Sequence, residues 1–289
     1  MHPSALNNFE EVMSIAKGKE IVVFLDYDGT LSQIVDNPDQ AYMSDAMRAA
    51  VREVASCFPT AIVSGRSRDK VYEFVKLRNV YYAGSHGLDI STPFGSTKHE
   101  DKKYQTKGGN QVVHFHPAKE FLPTIQEIRK ILKEKTTLIK GSMIEDNMFC
   151  ISVHYRRVKN EEDIVVLREI VESIMKSYPN FHISGGRKVM EIRPNVNWDK
   201  GHALMYLLDT LGFDNSNDVL PMYIGDDRTD EDAFKVIRHI GRGFPIVVSS
   251  IAKETKASYS LRDPADVMTF LKRLAKWKKN LLLPKTKQT

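Results

Sequence analysis

The stretch Ile21-Val22-Val23-Phe24-Leu25-Asp26-Tyr27-Asp28-Gly29-Thr30 decides the fold. Its unbroken apolar half reads as a strand buried on both faces, the usual signature of a parallel sheet covered by helices. Asp26 and Asp28 stand two apart at the C-terminal end of that strand, so their side chains leave the sheet on the same side. Strand ends of this kind are where open α/β sheets place their chemistry. Gly29 lets the chain turn there, and Thr30 adds a hydroxyl. Paired carboxylates at a tight turn suit a hard cation and a phosphoryl group: one acid attacks phosphorus to form an acyl phosphate, and the other moves protons.

Outward from this strand, helical and extended patterns alternate. Residues 44–55 have helical periodicity (Met47, Val51, Val54), 60–63 read as a second strand, 70–75 as a helix start and 80–83 as a third strand. That rhythm predicts a parallel sheet with helices on its faces. Residues 95–111, polar and rich in Gly, Lys and Thr, read as a linker. A different unit follows: a helix over 118–135, an alternating strand over 149–156, a helix over 161–177, and strands near 181–183 and 188–192. Its half-buried alternation marks a sheet with one wet face. The α/β rhythm resumes with a helix after Asp199 and strands at 221–224 and 244–248. The expected division is an α/β core over 1–112 and 191–289, interrupted by an α+β lid over 113–190.

Composition narrows the function classes. A chain of 289 residues suits about two domains. Hydrophobic content of 42% and charged content of 27% are ordinary for a soluble globular protein. No apolar run approaches the roughly 18 residues of a membrane span, and the N-terminus has neither signal nor transit character, so a cytoplasmic protein is expected. Cys57 and Cys150 make neither a disulfide framework nor a zinc site. The net charge of +5 misleads, because residues 271–289 hold seven Lys and Arg and no acid. Val267, Phe270, Leu271, Leu274 and Trp277 share one helical face there, which predicts a packed terminal helix with a solvated lysine face, and no nucleic-acid or membrane partner.

Three further motifs follow the first. Val63-Ser64-Gly65-Arg66 puts a hydroxyl at a strand tip, beside a glycine that lets phosphate approach backbone N–H groups. Asp199-Lys200-Gly201 opens a helix with a lysine able to neutralise a phosphoryl oxygen. Gly225-Asp226-Asp227-Arg228-Thr229-Asp230-Glu231-Asp232 again sets acids at the end of an apolar strand, and an all-oxygen set suits Mg²⁺ rather than zinc. Taken singly, Ser64 reads equally as a helix N-cap, Lys200 as a surface lysine and the acidic run as a solvated helix start. Together, in this order and at these places, they point to one phosphoryl-transfer site.

These four motifs resemble the signatures of the haloacid dehalogenase (HAD) superfamily of phosphatases. With Gly84-Ser85-His86-Gly87 and Gly186-Arg187-Lys188-Val189-Met190-Glu191-Ile192-Arg193-Pro194, the wording resembles the trehalose-6-phosphate phosphatases of plant type over nearly the whole chain. The resemblance implies a HAD-like Rossmannoid α/β core with a parallel sheet and an inserted α+β cap. It implies a Mg²⁺-dependent hydrolase that converts trehalose 6-phosphate to trehalose and phosphate. Asp26 is then the nucleophile, Asp28 the general acid and base, and Ser64 and Lys200 the phosphoryl holders. Mg²⁺ is expected on Asp26, the backbone carbonyl of Asp28 and Asp226, with Asp227 and Asp230 as further or outlying acids. Thr30, Arg66, His86, Glu145, Arg187, Lys188 and Glu191 are the expected substrate residues, with His154 and Arg156 beside them. Met148 stands where plant relatives commonly carry lysine. Lys188 and Glu191, three apart, face opposite sides of a regular strand unless a bulge intervenes. A monomer acting on a small sugar phosphate, with a lid that opens and closes, is expected. Another HAD sugar-phosphate phosphatase, such as a sucrose-phosphate phosphatase, a phosphomannomutase, or a regulatory protein on the same fold, remains an alternative.

Overall fold

A computed structural model of the chain describes residues 2–93, 103–105, 111–186, 188–213 and 217–282. Among these, the strands in chain order are β1 (Glu20–Asp26), β2 (Thr60–Val63), β3 (Tyr81–Gly84), β4 (Asp89–Ser91), β5 (Lys103–Gln105), β6 (Gln111–Phe115) and β7 (Met143–Asp146). They continue with β8 (Ile151–His154), β9 (Phe181–Gly186), β10 (Val189–Pro194), β11 (Val219–Gly225), β12 (Phe244–Val248) and β13 (Tyr259–Leu261). The α-helices are α1 (Phe9–Ala16), α2 (Asp45–Cys57), α3 (Arg68–Val75), α4 (Leu122–Thr136), α5 (Glu161–Met175), α6 (Lys200–Thr210), α7 (Asp230–His239) and α8 (Pro264–Leu282).

Nine strands form one sheet in the order β13-β12-β11-β1-β2-β3-β4-β6-β5. Neighbours from β13 to β3 run parallel, and β4, β6 and β5 extend the sheet antiparallel. Every residue of β1 after Glu20 is buried, the reason its sequence is a continuous apolar run. Leu25 pairs with Ile224 of β11, and Asp26 pairs with Val63 of β2. The ends of these three strands therefore stand side by side and deliver Asp26, Ser64 and Asp226 to one edge. Residues of α1, α2, α3 and α8 pack on one face of the sheet, and those of α6 and α7 on the other. The terminal helix buries Val267, Phe270, Leu271 and Leu274, with Trp277 partly covered, as its periodicity predicts.

A second, antiparallel sheet has the order β7-β8-β10-β9. Residues of α4 and α5 cover one side of it, where Ile128, Leu132, Leu167 and Val171 meet Ile151, Val153, Met190 and Ile192. Along β10 burial alternates, so Met190, Ile192 and Pro194 are buried while Val189, Glu191 and Arg193 are partly open. This is the half-wet sheet that the alternation implied.

The structure departs from the sequence reading in several places. Part of the expected linker lies outside the described residues, but 103–105 and 111–115 are β5 and β6, a pair added to the large sheet through β4. The large sheet thus reaches Phe115, beyond residue 112. The small sheet keeps β10 to Pro194, beyond residue 190, because Ile192 belongs to its apolar core. The helix expected from 118 starts at Leu122, with Pro123 in its first turn, after a short 3₁₀ turn over Lys119–Phe121. The strand expected over 149–156 is only Ile151–His154, and its partner β7 went unread, as did α1, β4 and β13. Cys57 and Cys150 are both free thiols. No helix among the described residues is long and apolar enough to cross a membrane.

Phe270 is fully buried in α8, and its ring meets Phe9 edge-on at 5.6 Å. Phe270→Ala is expected to lower the unfolding free energy by about 3–5 kcal/mol, read from the denaturant midpoint. A loss below about 1 kcal/mol would remove α8 from the core.

Candidate active site

The large sheet brings Asp26 to the start of α6. There Lys200, the first residue of the helix and 2% exposed, donates from Nζ to Asp26 Oδ1 and to Asp230 Oδ1, each at 2.7 Å. Asp199 sets that start by capping the helix, its side chain accepting from His202 N. Tyr223 of β11 donates its hydroxyl to the same Asp230 oxygen at 2.8 Å, and Asp227 N donates to Asp230 Oδ2 at 3.0 Å. Asp230 is therefore a buttress for Lys200 with both oxygens engaged. Asp227 accepts from Thr229 N and Thr229 Oγ1 and so organises the turn into α7. Asp226 of the same run is buried beside Asp26.

Asp26, Asp226 and Asp230 present oxygens within 4.8 Å of one another, all buried. Burial, and then the charge of Asp230, push the Asp26 carboxyl well above its ordinary range, with Lys200 pulling the other way. Burial alone would push the Lys200 ammonium down, but Asp230 and Asp26 raise it. One ammonium against several buried carboxylates leaves negative charge in a dry place, which a cation relieves. Gly29 keeps the approach open: its φ is +80°, and a Cβ there would lie 2.5 Å from the Asp226 carboxylate. An all-oxygen donor set of this kind fits a hard divalent cation such as Mg²⁺.

Beside the acids runs the loop after β2. Ser64 is buried, and its hydroxyl accepts from Arg66 N at 3.2 Å; the N-cap of α3 is Ser67, three residues on. Gly65 is required because a Cβ would meet His86 Nε2 at 2.6 Å. Ser85 and His86 are both left-handed, with φ of 50° and 58°, and their N–H groups donate to Arg66 O and Ser64 O at 2.7 and 2.8 Å. This strained turn is held by the loop it braces. Arg66 grips Asp28 with two parallel bonds of 2.7 Å. Thr30 is fully buried, and its hydroxyl has no hydrogen-bond partner among the described residues.

The small sheet closes over this edge and leaves a cavity of about 1050 Å³, lined by Asp26, Asp28, Arg66 and Lys200 below and by Glu145, His154, Glu191 and Arg193 above. Glu145 accepts from Lys70 Nζ, faces His154 Nε2 at 2.6 Å and lies 3.5 Å from Arg66 Nη1. Burial would raise its carboxyl, but His154, Arg66 and Lys70 outweigh it and hold it at about 2. Glu191 accepts from Arg193, and its Oε1 lies 3.1 Å from His86 Nε2, to which Arg193 Nη2 donates at 2.7 Å. Burial and then Arg193 keep the His86 imidazole below its usual range. Burial would push the Glu191 carboxyl up, but His86 and Arg193 hold it below the usual range. Between the sheets, Asn147 accepts from Ser67 N at 3.1 Å and donates to Ser152 Oγ at 2.9 Å, while its carbonyl accepts from Ser85 Oγ.

Not every expected residue reaches the cavity. Lys188 sits ahead of β10 in the hairpin turn, left-handed at φ 63° and exposed; it lines a neighbouring groove, whereas Arg156 lines both that groove and the cavity. The offset from Glu191 thus needs no bulge. Arg187 lies outside the described residues. Met148, also left-handed at φ 66°, packs with Leu88, Ala118 and Phe149. Lys70, Asn147, Arg193, Tyr223 and Lys253, which donates to Asp226 O, went unread. For Arg193 a signal existed, since it stands two from Glu191 on one strand and shares its face.

Fold and site together define a hydrolase-type phosphoryl-transfer α/β core with an α+β cap. The sequence model of the trehalose-phosphatase family matches residues 24–265. The chain is 58% identical over 277 residues to the "Probable trehalose-phosphate phosphatase D" of Arabidopsis thaliana, covering 96% of this chain and 73% of that one. It is 55% identical to "Trehalose-phosphate phosphatase B" of the same plant, covering 96% and 72%. The C-terminal domain of C. albicans trehalose-6-phosphate phosphatase shares the fold, with a TM-score of 0.74 at 22% identity, over 96% of this chain and 99% of that one. This chain belongs to the trehalose-phosphatase family.

Because the Glu145 carboxyl titrates lower folded than unfolded, its contribution to stability is complete above about pH 4.5 and lost as pH falls through about 2. Thermal midpoints followed over that window are expected to fall more steeply for the parent than for Glu145→Gln. Parallel curves would show that its partners do not hold Glu145 ionised.

Proposed function

We propose that this protein is a Mg²⁺-dependent phosphatase that releases inorganic phosphate from trehalose 6-phosphate through an aspartyl-phosphate intermediate. The observation that carries the reading is the Asp26–Lys200 pair at the sheet edge, a nucleophile oriented by the cation that meets the transferring group. Asp26 and Asp226, with the backbone carbonyl of Asp28, would hold the divalent cation, which offsets phosphoryl charge when bound.

An Asp26 oxygen attacks phosphorus; the bond from phosphorus to the sugar oxygen breaks, and that oxygen takes the proton of Asp28. Water then attacks phosphorus, gives its proton to Asp28 and frees Asp26 as phosphate departs. Lys200 and the Ser64 hydroxyl hold the phosphoryl oxygens throughout. Such positioning and charge stabilisation account for most catalysis of phosphoryl transfer. The small sheet acts as the lid, and Glu145 and Glu191, kept ionised by their neighbours, accept bonds from sugar hydroxyls. A sugar lacking a matching hydroxyl leaves one of them unpaired, which is the strong form of discrimination.

Phosphate release from a panel of sugar phosphates tests the reading. Trehalose 6-phosphate is expected to be preferred, with activity lost in EDTA and restored by Mg²⁺. Asp26→Asn is expected to lower kcat by roughly 10⁴-fold or more. Equal or faster release from sucrose, mannose or glucose phosphates overturns the substrate, and no release from any of them overturns the enzyme.

A further inference from the structure

We propose that Arg66 is the positioning residue of Asp28, tying the proton-transferring acid to the sugar-facing Glu145, and is not a ligand of the phosphoryl group. This rests on Asp28 acting as the acid in the reaction proposed above. The guanidinium donates from Nε to Asp28 Oδ2 and from Nη2 to Asp28 Oδ1, both at 2.7 Å, and from Nη1 to Pro38 O at 2.7 Å. Planar pairing of this kind fixes direction as well as distance. The Arg66 side chain is 9% exposed and that of Asp28 is 38% exposed, so the cation is the anchored partner and the acid is the one open to the cavity. The anchoring continues on every side: the Phe74 ring lies 5.4 Å from the guanidinium, Arg66 N donates to Ser64 Oγ, and Arg66 O accepts from Ser85 N. Without this clamp, a half-open Asp28 samples solvent-facing rotamers, and its proton is rarely in line with the leaving oxygen.

The arrangement also allows Asp28 to work as an acid. When one of its oxygens carries the proton, one of the paired bonds opens, and Pro38 O together with Glu145, 3.5 Å from Nη1, keeps the guanidinium in place. Glu145 keeps two other partners when Arg66 is removed, since Lys70 and His154 also hold it. Removing Arg66 therefore strikes Asp28 while leaving the sugar-reading carboxylate supported.

The test uses leaving groups of different need. Trehalose 6-phosphate expels a sugar alkoxide, whose oxygen must receive a proton as its bond to phosphorus breaks; 4-nitrophenyl phosphate expels a stable phenolate that needs none. Arg66→Met is expected to lower kcat on trehalose 6-phosphate by about 100-fold, the scale of one positioned acid. Its KM for trehalose 6-phosphate, and its single-turnover rate of 4-nitrophenolate release, which reports attack by Asp26 alone, should stay within about threefold of the parent's, while hydrolysis of the aspartyl phosphate slows after either substrate. Arg66→Lys, which keeps the charge and one contact, should recover part of the loss, and it carries the comparison if the methionine variant does not fold. A single-turnover release of 4-nitrophenolate that slows as much as kcat on trehalose 6-phosphate, or a raised KM with unchanged kcat, overturns the assignment and leaves the proposed phosphatase standing. A parent chain that releases no phosphate from any sugar phosphate sinks both.

Discussion

The ammonium of Lys200, held between Asp26 and Asp230, is the contact on which the rest of the molecule depends. It joins the end of the central strand to the start of two helices, and it sits where water cannot dilute its charge. A buried ion pair of this kind adds little to stability on balance, but losing one partner costs about 3–5 kcal/mol because the other charge is stranded. The sheet order β11-β1-β2 follows from the same need. Only strands adjacent to β1 can end close enough to bring Asp226 and Ser64 to the nucleophile, and only parallel strands end on the same side.

Much of this was legible because parallel strands buried on both faces write themselves as apolar runs. β1 and β11 are such runs, and the acids stand at their ends, Asp26 as the last residue of β1 and Asp226 directly after β11. Short strands escaped for the opposite reason: β4 and β13 have three residues each, too few for any period to emerge. Asn147 left no local trace, since its partners Ser67 and Ser85 stand far away in the chain and meet it only through the fold. Arg66 was visible as a residue, but its paired bonds to Asp28 were not, because a substrate contact and a carboxylate clamp ask for the same side chain. Lys188 was displaced by a backbone turn that residue spacing does not encode.

The two halves of the cavity do different electrostatic work. On the large sheet, acids crowd until burial and mutual repulsion favour a proton or a metal. On the small sheet, Glu145 and Glu191 are each surrounded by cations and imidazoles and remain carboxylates, able only to accept hydrogen bonds. One side is thus tuned for transfer of charge, and the other for counting hydroxyls. Arg66 stands at the border and touches both.

Phe149 adds a mechanical consequence. It is fully buried at the tip of the β7–β8 turn, in a small cluster with Leu88 of the large-sheet unit, with Ala118 on the outgoing connection, and with Val196 and Trp198 on the returning one. Both chain crossings and the turn therefore converge on a single apolar fulcrum. Lifting the small sheet straight away would wet the ring, so this contact resists separation of the two sheets more than a pivot about it.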